Sequence, residues 1–280
     1  MQNNDNIGYD AGNQVSTSSN SNSTWRTQYW DKRNKDIGIE QMCADYVDTY
    51  WFGKYPDKIT FERVTDSTRQ KRGEDVVVTI NASGKSMVID EKAKTGGCIG
   101  KVLAYPCLEV LCKNQYGTGF FESWFATSSN TTTHYAMISL GSDKTFKLGE
   151  EWKIKPEDIT CMVYGLINVA KLKHFVEKET GKTIKEITDD AWAMLEDWEQ
   201  NQYRYKYDPV KSYKKDSIGN YIHLKMSTKK KEQPINLMVR RDVMRNNGLI
   251  TEVYIDKDKV SKFVPVNKFD RMGDILTVQD

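Results

Sequence analysis

The chain has 280 residues, of which 38% are apolar, 29% charged and 11% aromatic, and its formal net charge is +2. This is the balance of a globular protein with a wet surface and enough chain for a large core, which excludes fibrous and membrane-embedded classes. No apolar run approaches the roughly 20 residues of a bilayer span, no basic and apolar leader marks secretion, and so small a net charge leaves any attraction to nucleic acid to local patches.

Residues 1–24 are rich in Asn, Ser, Gln, Thr and Gly and are expected to be disordered, with order beginning near Trp25 to Trp30. From Asp31 to Phe52 the apolar positions Ile39, Cys43, Tyr46, Val47 and Tyr50 follow helical spacing, and Gly53 and Pro56 end the helix. Glu40 borders that apolar stripe. Lys58 to Val64 reads as a strand, followed by a charged loop to Gly73. Asp75 to Ala93 then reads as two apolar strands joined by a tight polar turn.

Beyond the break at Thr95-Gly96-Gly97, Cys98 to Asn114 is expected to be helical, with a kink or restart at Pro106. Phe120 to Phe125 and Thr132 to Leu140 alternate around a polar turn, which predicts a second hairpin. Ile159 to Ile167 is an apolar run and predicts a buried strand. Asn168 is placed to cap a helix ending at Gly181, and Thr188 to cap another running to Gln200 with Trp192, Leu195 and Trp198. Tyr221 to Ser227 and Ile235 to Val239 predict strands. There is no internal repeat and no clear linker. The pattern predicts an α/β or α+β protein: a mixed sheet flanked by helices, one domain over residues 25–265, and a tail over 266–280.

Chemistry concentrates on the first hairpin. Side chains alternate along a strand, so Asp90 and Lys92 share a face and Glu91 takes the other. A hairpin returns Asp90 and Lys92 toward Asp75. Two carboxylates beside an ammonium suit a divalent cation and a water next to a phosphate. A bulge would change the phase and bring in Glu91 instead. The plain alternative is a hairpin ending in solvated charges, with Lys92 guarding a sheet edge.

Asp75, the Asp90-Glu91-Lys92 triplet and, more loosely, Glu40 resemble the PD-(D/E)xK nuclease superfamily, the restriction-endonuclease-like fold. The resemblance covers roughly residues 31–140, with residues 150–265 as a C-terminal elaboration. It departs at Glu74, which stands where the motif has proline. It implies Mg²⁺ or Mn²⁺ held by Asp75 and Asp90 (Glu91 as the alternative ligand), and Glu40 acting through water or on a second ion. Lys92 would orient or deprotonate the attacking water. Glu40 reads equally as a solvated helix carboxylate, and Gln41 is a weaker candidate. The implied activity is hydrolysis of DNA phosphodiesters, with RNA left open as a partner and a homodimer as an open assembly. A nuclease-fold protein that binds nucleic acid or acts as a scaffold without turnover is the other reading.

From Arg204 to Arg245 bases outnumber acids. Lys211, Lys214, Lys215, Lys229, Lys230, Lys231, Arg240 and Arg241 are interleaved with Tyr203, Tyr205, Tyr207, Tyr213 and Tyr221, a pattern suited to phosphates and stacked bases. His134, His174 and His223 lie far apart and read as ordinary structural histidines. Gly117-Thr118-Gly119 lacks the lysine of a phosphate loop. Lys85 and Ser86 belong to the turn, Lys94 continues the phase of Lys92, and the Phe120-Phe121 and Trp124-Phe125 pairs read as packing. The five cysteines, Cys43, Cys98, Cys107, Cys112 and Cys161, include no C-x-x-C pair, which argues against a zinc knuckle or disulfide framework and for a reducing cytoplasm. Modest size and a polar leader suit a phage or mobile-element protein.

Overall fold

A computed structural model describes residues 38–70, 72–93, 99–100, 102–113, 119–127, 130–147, 153–228 and 233–262. The expected disordered leader, the start of the first helix, Lys94, Gly117, Thr118, Lys229 to Lys231 and the expected tail lie outside the described residues. Helix α1 covers residues 38–50, and its apolar stripe of Ile39, Cys43, Tyr46 and Val47 is buried. The strands are β1 (Ile59–Arg63), β2 (Val76–Ile80), β3 (Lys85–Ala93), β4 (Leu108–Lys113), β5 (Phe120–Glu122), β6 (His134–Ser142), β7 (Ile159–Asn168), β8 (Val210–Asp216), β9 (Gly219–Met226), β10 (Ile235–Val239), β11 (Ile250–Asp256) and β12 (Val260–Lys262). The other helices are α2 (Ser67–Gln70), α3 (Val169–Thr180), α4 (Ile184–Asn201) and α5 (Arg241–Asn246).

Two sheets form. The first runs β1-β2-β3-β6-β7-β11-β12 and the second β5-β4-β10-β9-β8. The first is mixed, because β3 and β6 pair in parallel while its other neighbours are antiparallel. The chain is thus a mixed α/β protein. One face of the first sheet, carrying Val76, Val78, Ile89, Ala136 and Ile138, packs on α1. Its opposite face contributes Tyr135, Met137 and Ile167 to a larger core shared with β4, β9, β10, α3 and α4. Burying one such Leu, Ile or Val side chain contributes about 1.5–3 kcal/mol, so these two clusters outweigh any single polar contact.

Within the expected helix over 98–114, residues 108–113 form strand β4 instead, and none of the described residues there is helical. Leu108, Leu111 and Cys112 have spacing that suits a helix, but a short apolar run does not separate helix from strand. Pairing of β4 with β10 and β5 decides the matter, and Pro106 precedes it. The expected hairpin over 120–140 also divides between sheets: β5 pairs with β4, and β6 with β3 and β7. Residues 120–122 and 134–140 are extended as predicted, residues 124–126 form a turn instead, and the choice of strand partner is non-local.

Helix α3 keeps its predicted ends. Asn168 caps it through a 2.9 Å hydrogen bond from Lys171 N–H, and Gly181 closes it with a φ of 70°. Helix α4 starts earlier than expected. Thr183 and Glu186 form a capping box, while Thr188 lies inside the helix and donates to Ile184 O at 2.8 Å. The first sheet takes β7, β11 and β12 from beyond residue 140, and the second takes β4 and β5 from before it.

Candidate metal centre

The β2–β3 hairpin builds the site. Val76 pairs with Ile89, and one step further the register sets Asp75 across from Asp90. Asp75 N–H donates to Ile89 O at 2.9 Å, and Glu91 N–H donates to Asp75 Oδ2 at 2.7 Å. Ile89 points into the α1 core, so Asp90 and Lys92 leave on the opposite face. There Lys92 Nζ donates to Asp90 Oδ1 at 2.7 Å and lies 4.0 Å from Asp75 Oδ2. The three residues meet as the alternation predicts.

Burial differs sharply within the trio. The Asp90 side chain is 0% exposed, against 40% for Lys92 and 30% for Asp75. Asp90 Oδ2 is sealed from solvent with no hydrogen-bond partner. Burial pushes the Asp90 carboxyl up to about 8, against the downward pull of Lys92 and with a further push from Asp75. Lys92 is held well above its usual range because the charges of Asp90 and Asp75 outweigh the burial that lowers it. Two acids this close favour a proton or a cation between them.

Gly73 closes this pocket. Its φ is +75°, and a Cβ there would lie 3.4 Å from Asp90 Cγ, Thr132 Oγ1 and Trp124 Cγ. Thr132 Oγ1 donates to Gly73 O at 2.7 Å, which holds the turn. Trp124 stacks on Tyr135 with ring centroids 5.6 Å apart, and its own Nε1 is a second buried atom without a partner. Gly73, Trp124 and Thr132 were not legible as site residues, because each reaches Asp90 from a different segment.

The other predicted ligands go elsewhere. Without a bulge in its pairing to β2, β3 turns Glu91 to the α1 face. There it pairs with Arg63 Nη1 and accepts from Tyr164 O–H at 2.8 Å. Arg63 in turn holds Asp48 with contacts of 2.6 and 2.9 Å. Glu91 is therefore not a ligand beside Asp90. Its carboxyl is pushed up by burial, against Arg63. Glu40 is exposed on α1, across the sheet from Asp90, and its charge is felt at Cys43 together with that of Glu91. Gln41 donates to Asp45 on the same helix at 2.8 Å. Glu74 is consumed by Arg69 and Thr131.

Among the described residues no three His, Cys, Asp or Glu side chains group as a ready metal cage. The Asp75–Asp90 pair still suits Mg²⁺ or Mn²⁺. Such an ion is bound through one or two carboxylates, with water and phosphate oxygens completing its shell, and Asp90 Oδ2 is an acceptor with no donor.

The basic C-terminal region is partly spent inside the fold. Arg240 is 6% exposed and binds Asp216 and Asp242, and Arg241 is 3% exposed and binds Glu252 and Leu103 O. Neither presents its charge to a phosphate. Burial forces this pairing, because an unpaired interior cation is far costlier. Lys211 pairs with Asp190 at 2.9 Å. Tyr213 and Tyr221 donate to Asp190 and Glu179, and Tyr205 to Asp197. Lys215 is exposed and Lys214 half-buried on the edge strand β8, while Tyr203 and Tyr207 are 79% and 76% exposed. His134 contacts Thr133 and Asn168, His223 is buried against Tyr105, and His174 is exposed on α3.

No described helix is long and apolar enough to cross a membrane. Compared with known proteins, the chain matches no family model, no curated sequence and no solved structure.

Proposed function

We propose that this chain is a metal-dependent nuclease that hydrolyses phosphodiester bonds in DNA, built on a restriction-endonuclease-like core. The observation that carries the reading is the convergence of Asp75, Asp90 and Lys92 on one sheet face, with Asp90 Oδ2 buried and unpartnered. The mixed sheet, with α1 on one face and the acid-x-Lys strand next to the Asp75 strand, supports it. In place of the helix expected over 98–114, the next described strand after β3 is β4.

Asp75 and Asp90 would hold Mg²⁺ or Mn²⁺, which supplies Lewis-acid polarisation of the phosphate and acidifies bound water. Asp75, the more exposed acid, faces the entering phosphodiester. Lys92 is kept an ammonium by its two acidic neighbours. That charge suits it to orient the attacking water and offset charge growing on the phosphate oxygens, not to remove a proton. Gly73 and Thr132 hold the loop against Asp90 and so fix its carboxyl group.

The test is incubation of the full chain with circular single-stranded DNA and supercoiled plasmid, with Mg²⁺, with Mn²⁺ and with chelator. Metal-dependent cleavage is expected, reduced about a hundredfold or more by Asp90→Ala and Lys92→Ala. Absence of cleavage, or cleavage untouched by both substitutions, defeats the proposal. The complete burial of Asp90 favours one other reading, a nucleic-acid-binding protein that keeps the arrangement without turnover. That reading requires salt-sensitive binding that needs no metal and survives Asp90→Ala.

A further inference from the structure

A cleft of about 480 Å³ is lined by Arg72, Phe121, Glu122, Ser123, Trp124, Thr127 and Asn130. Its volume falls in the range of small-molecule sites, about 300–1,000 Å³. Trp124 lines the cleft, and its Cγ and Asp90 Cγ would each lie 3.4 Å from a Cβ on Gly73. Trp124 Nε1 and Asp90 Oδ2 are both among the buried atoms without a hydrogen-bond partner. Orphans of this kind are rare in folded proteins and call for an explanation.

The lining has a definite chemistry. Phe121 sits on the short edge strand β5 and is 50% exposed, although a large aromatic ring is ordinarily buried. Arg72 is exposed, and its acidic neighbour Glu74 is already occupied by Arg69 and Thr131. Asn130 is locked in place, donating to Trp124 O at 3.0 Å and accepting from Thr132 N–H at 2.9 Å. The lining thus combines an aromatic ring with a guanidinium. Glu122 adds a carboxylate at the rim, able to accept from an exocyclic amine. Aromatic face, cation and polar rim together fit a base with its phosphate.

We infer that this cleft seats one unpaired nucleotide of the strand whose phosphodiester lies at Asp75, Asp90 and Lys92. The inference rests on the nuclease reading for the position of that phosphodiester. Phe121 stacks on the base, Arg72 takes an adjacent phosphate, and Trp124 couples the seat to the acid pair. A paired base cannot enter without leaving its stack, so single-stranded, flap or looped substrates are preferred over intact duplex.

The experiment measures binding of the full chain to a fluorescent single-stranded oligonucleotide and to its matched duplex, by anisotropy, with chelator present. The variants are Phe121→Ala, Phe121→Trp and Arg72→Ala, each checked for an unchanged melting temperature. Single-strand binding is expected to exceed duplex binding, to weaken about fivefold or more in Phe121→Ala, and to recover in Phe121→Trp. Equal binding of the two forms, or a Phe121→Ala variant that binds the single strand as the parent does, overturns the inference. The two readings separate cleanly. Cleavage that is lost with Lys92→Ala but indifferent to Phe121→Ala leaves the catalytic site standing and removes the nucleotide seat. Phe121-dependent single-strand binding without any cleavage does the reverse.

Discussion

At the residue scale, the geometry turns on Gly73 as much as on the charged trio. Its φ of +75° lies where a side chain is disfavoured. Gly73→Ala is expected to lower stability by about 1–2 kcal/mol, from the backbone term alone. Its added methyl would stand 3.4 Å from Asp90 Cγ, an ordinary contact, so cleavage should fall only with the loss of folded protein. Urea melts beside cleavage rates on the same preparations test this, and an unchanged melt would show that the turn is not held in that conformation. Sequence alternation was enough to place Asp90 with Lys92 and to separate Glu91, because a strand without a bulge obeys a strict period of two. It could not show that Asp90 is sealed while Lys92 stays partly open. Burial depends on Trp124, Thr132 and Tyr135, which come from outside the hairpin.

At the element scale, α5 shows how a basic run can become internal. Arg241 lies at its first turn and reaches Glu252 on β11 and Leu103 O ahead of β4, while Arg245 binds the same glutamate. Arg241 N–H also donates to Ala104 O at 2.8 Å. The pair thereby ties a strand of the first sheet to the approach of the second. Burial pulls the Arg241 guanidinium down to about 10 in spite of Glu252. Glu252→Gln strands a buried cation and is expected to cost about 3–5 kcal/mol, whereas Arg241→Met with Glu252→Leu should recover much of that loss. Denaturant midpoints of the single and double variants decide it. A Glu252→Gln variant as stable as the parent would count against the tie. Nothing in the sequence separates such an arginine from a phosphate-binding one, since Arg240 and Arg241 sit in the same basic stretch as the exposed Lys215.

At the scale of the whole molecule, two sheets share a core that depends on buried neutral groups. His223 on β9 is 8% exposed and packs edge-on against Tyr105, with ring centroids 5.4 Å apart. Burial, then the charge of Lys225, holds its imidazole below the ordinary histidine range, and burial does the same to His134. In the window below that ordinary range these two groups bind more protons in the unfolded chain than in the folded one, so their contribution to stability falls as pH drops through it, against the raised Asp90 and Glu91 carboxyls, which act in the opposite sense. Between about pH 7 and about pH 5 the melting temperature of His223→Leu should therefore drop less, or rise more, than the parent's, because one of the two groups is gone. The same slope in both proteins would rule His223 out as a source. Local pattern alone determined α1 within its described span, the β2–β3 hairpin, β7, the capped ends of α3 and the meeting of Asp75, Asp90 and Lys92, because each follows from short-range periodicity or cap chemistry. Only the tertiary structure decided that residues 108–113 form a strand, that β5 and β6 join different sheets, that Arg240 and Arg241 turn inward, and that Arg72, Phe121 and Trp124 line one cleft. Those outcomes depend on which distant segment supplies a hydrogen-bond partner or a covering side chain, and residue spacing along one strand carries no record of it.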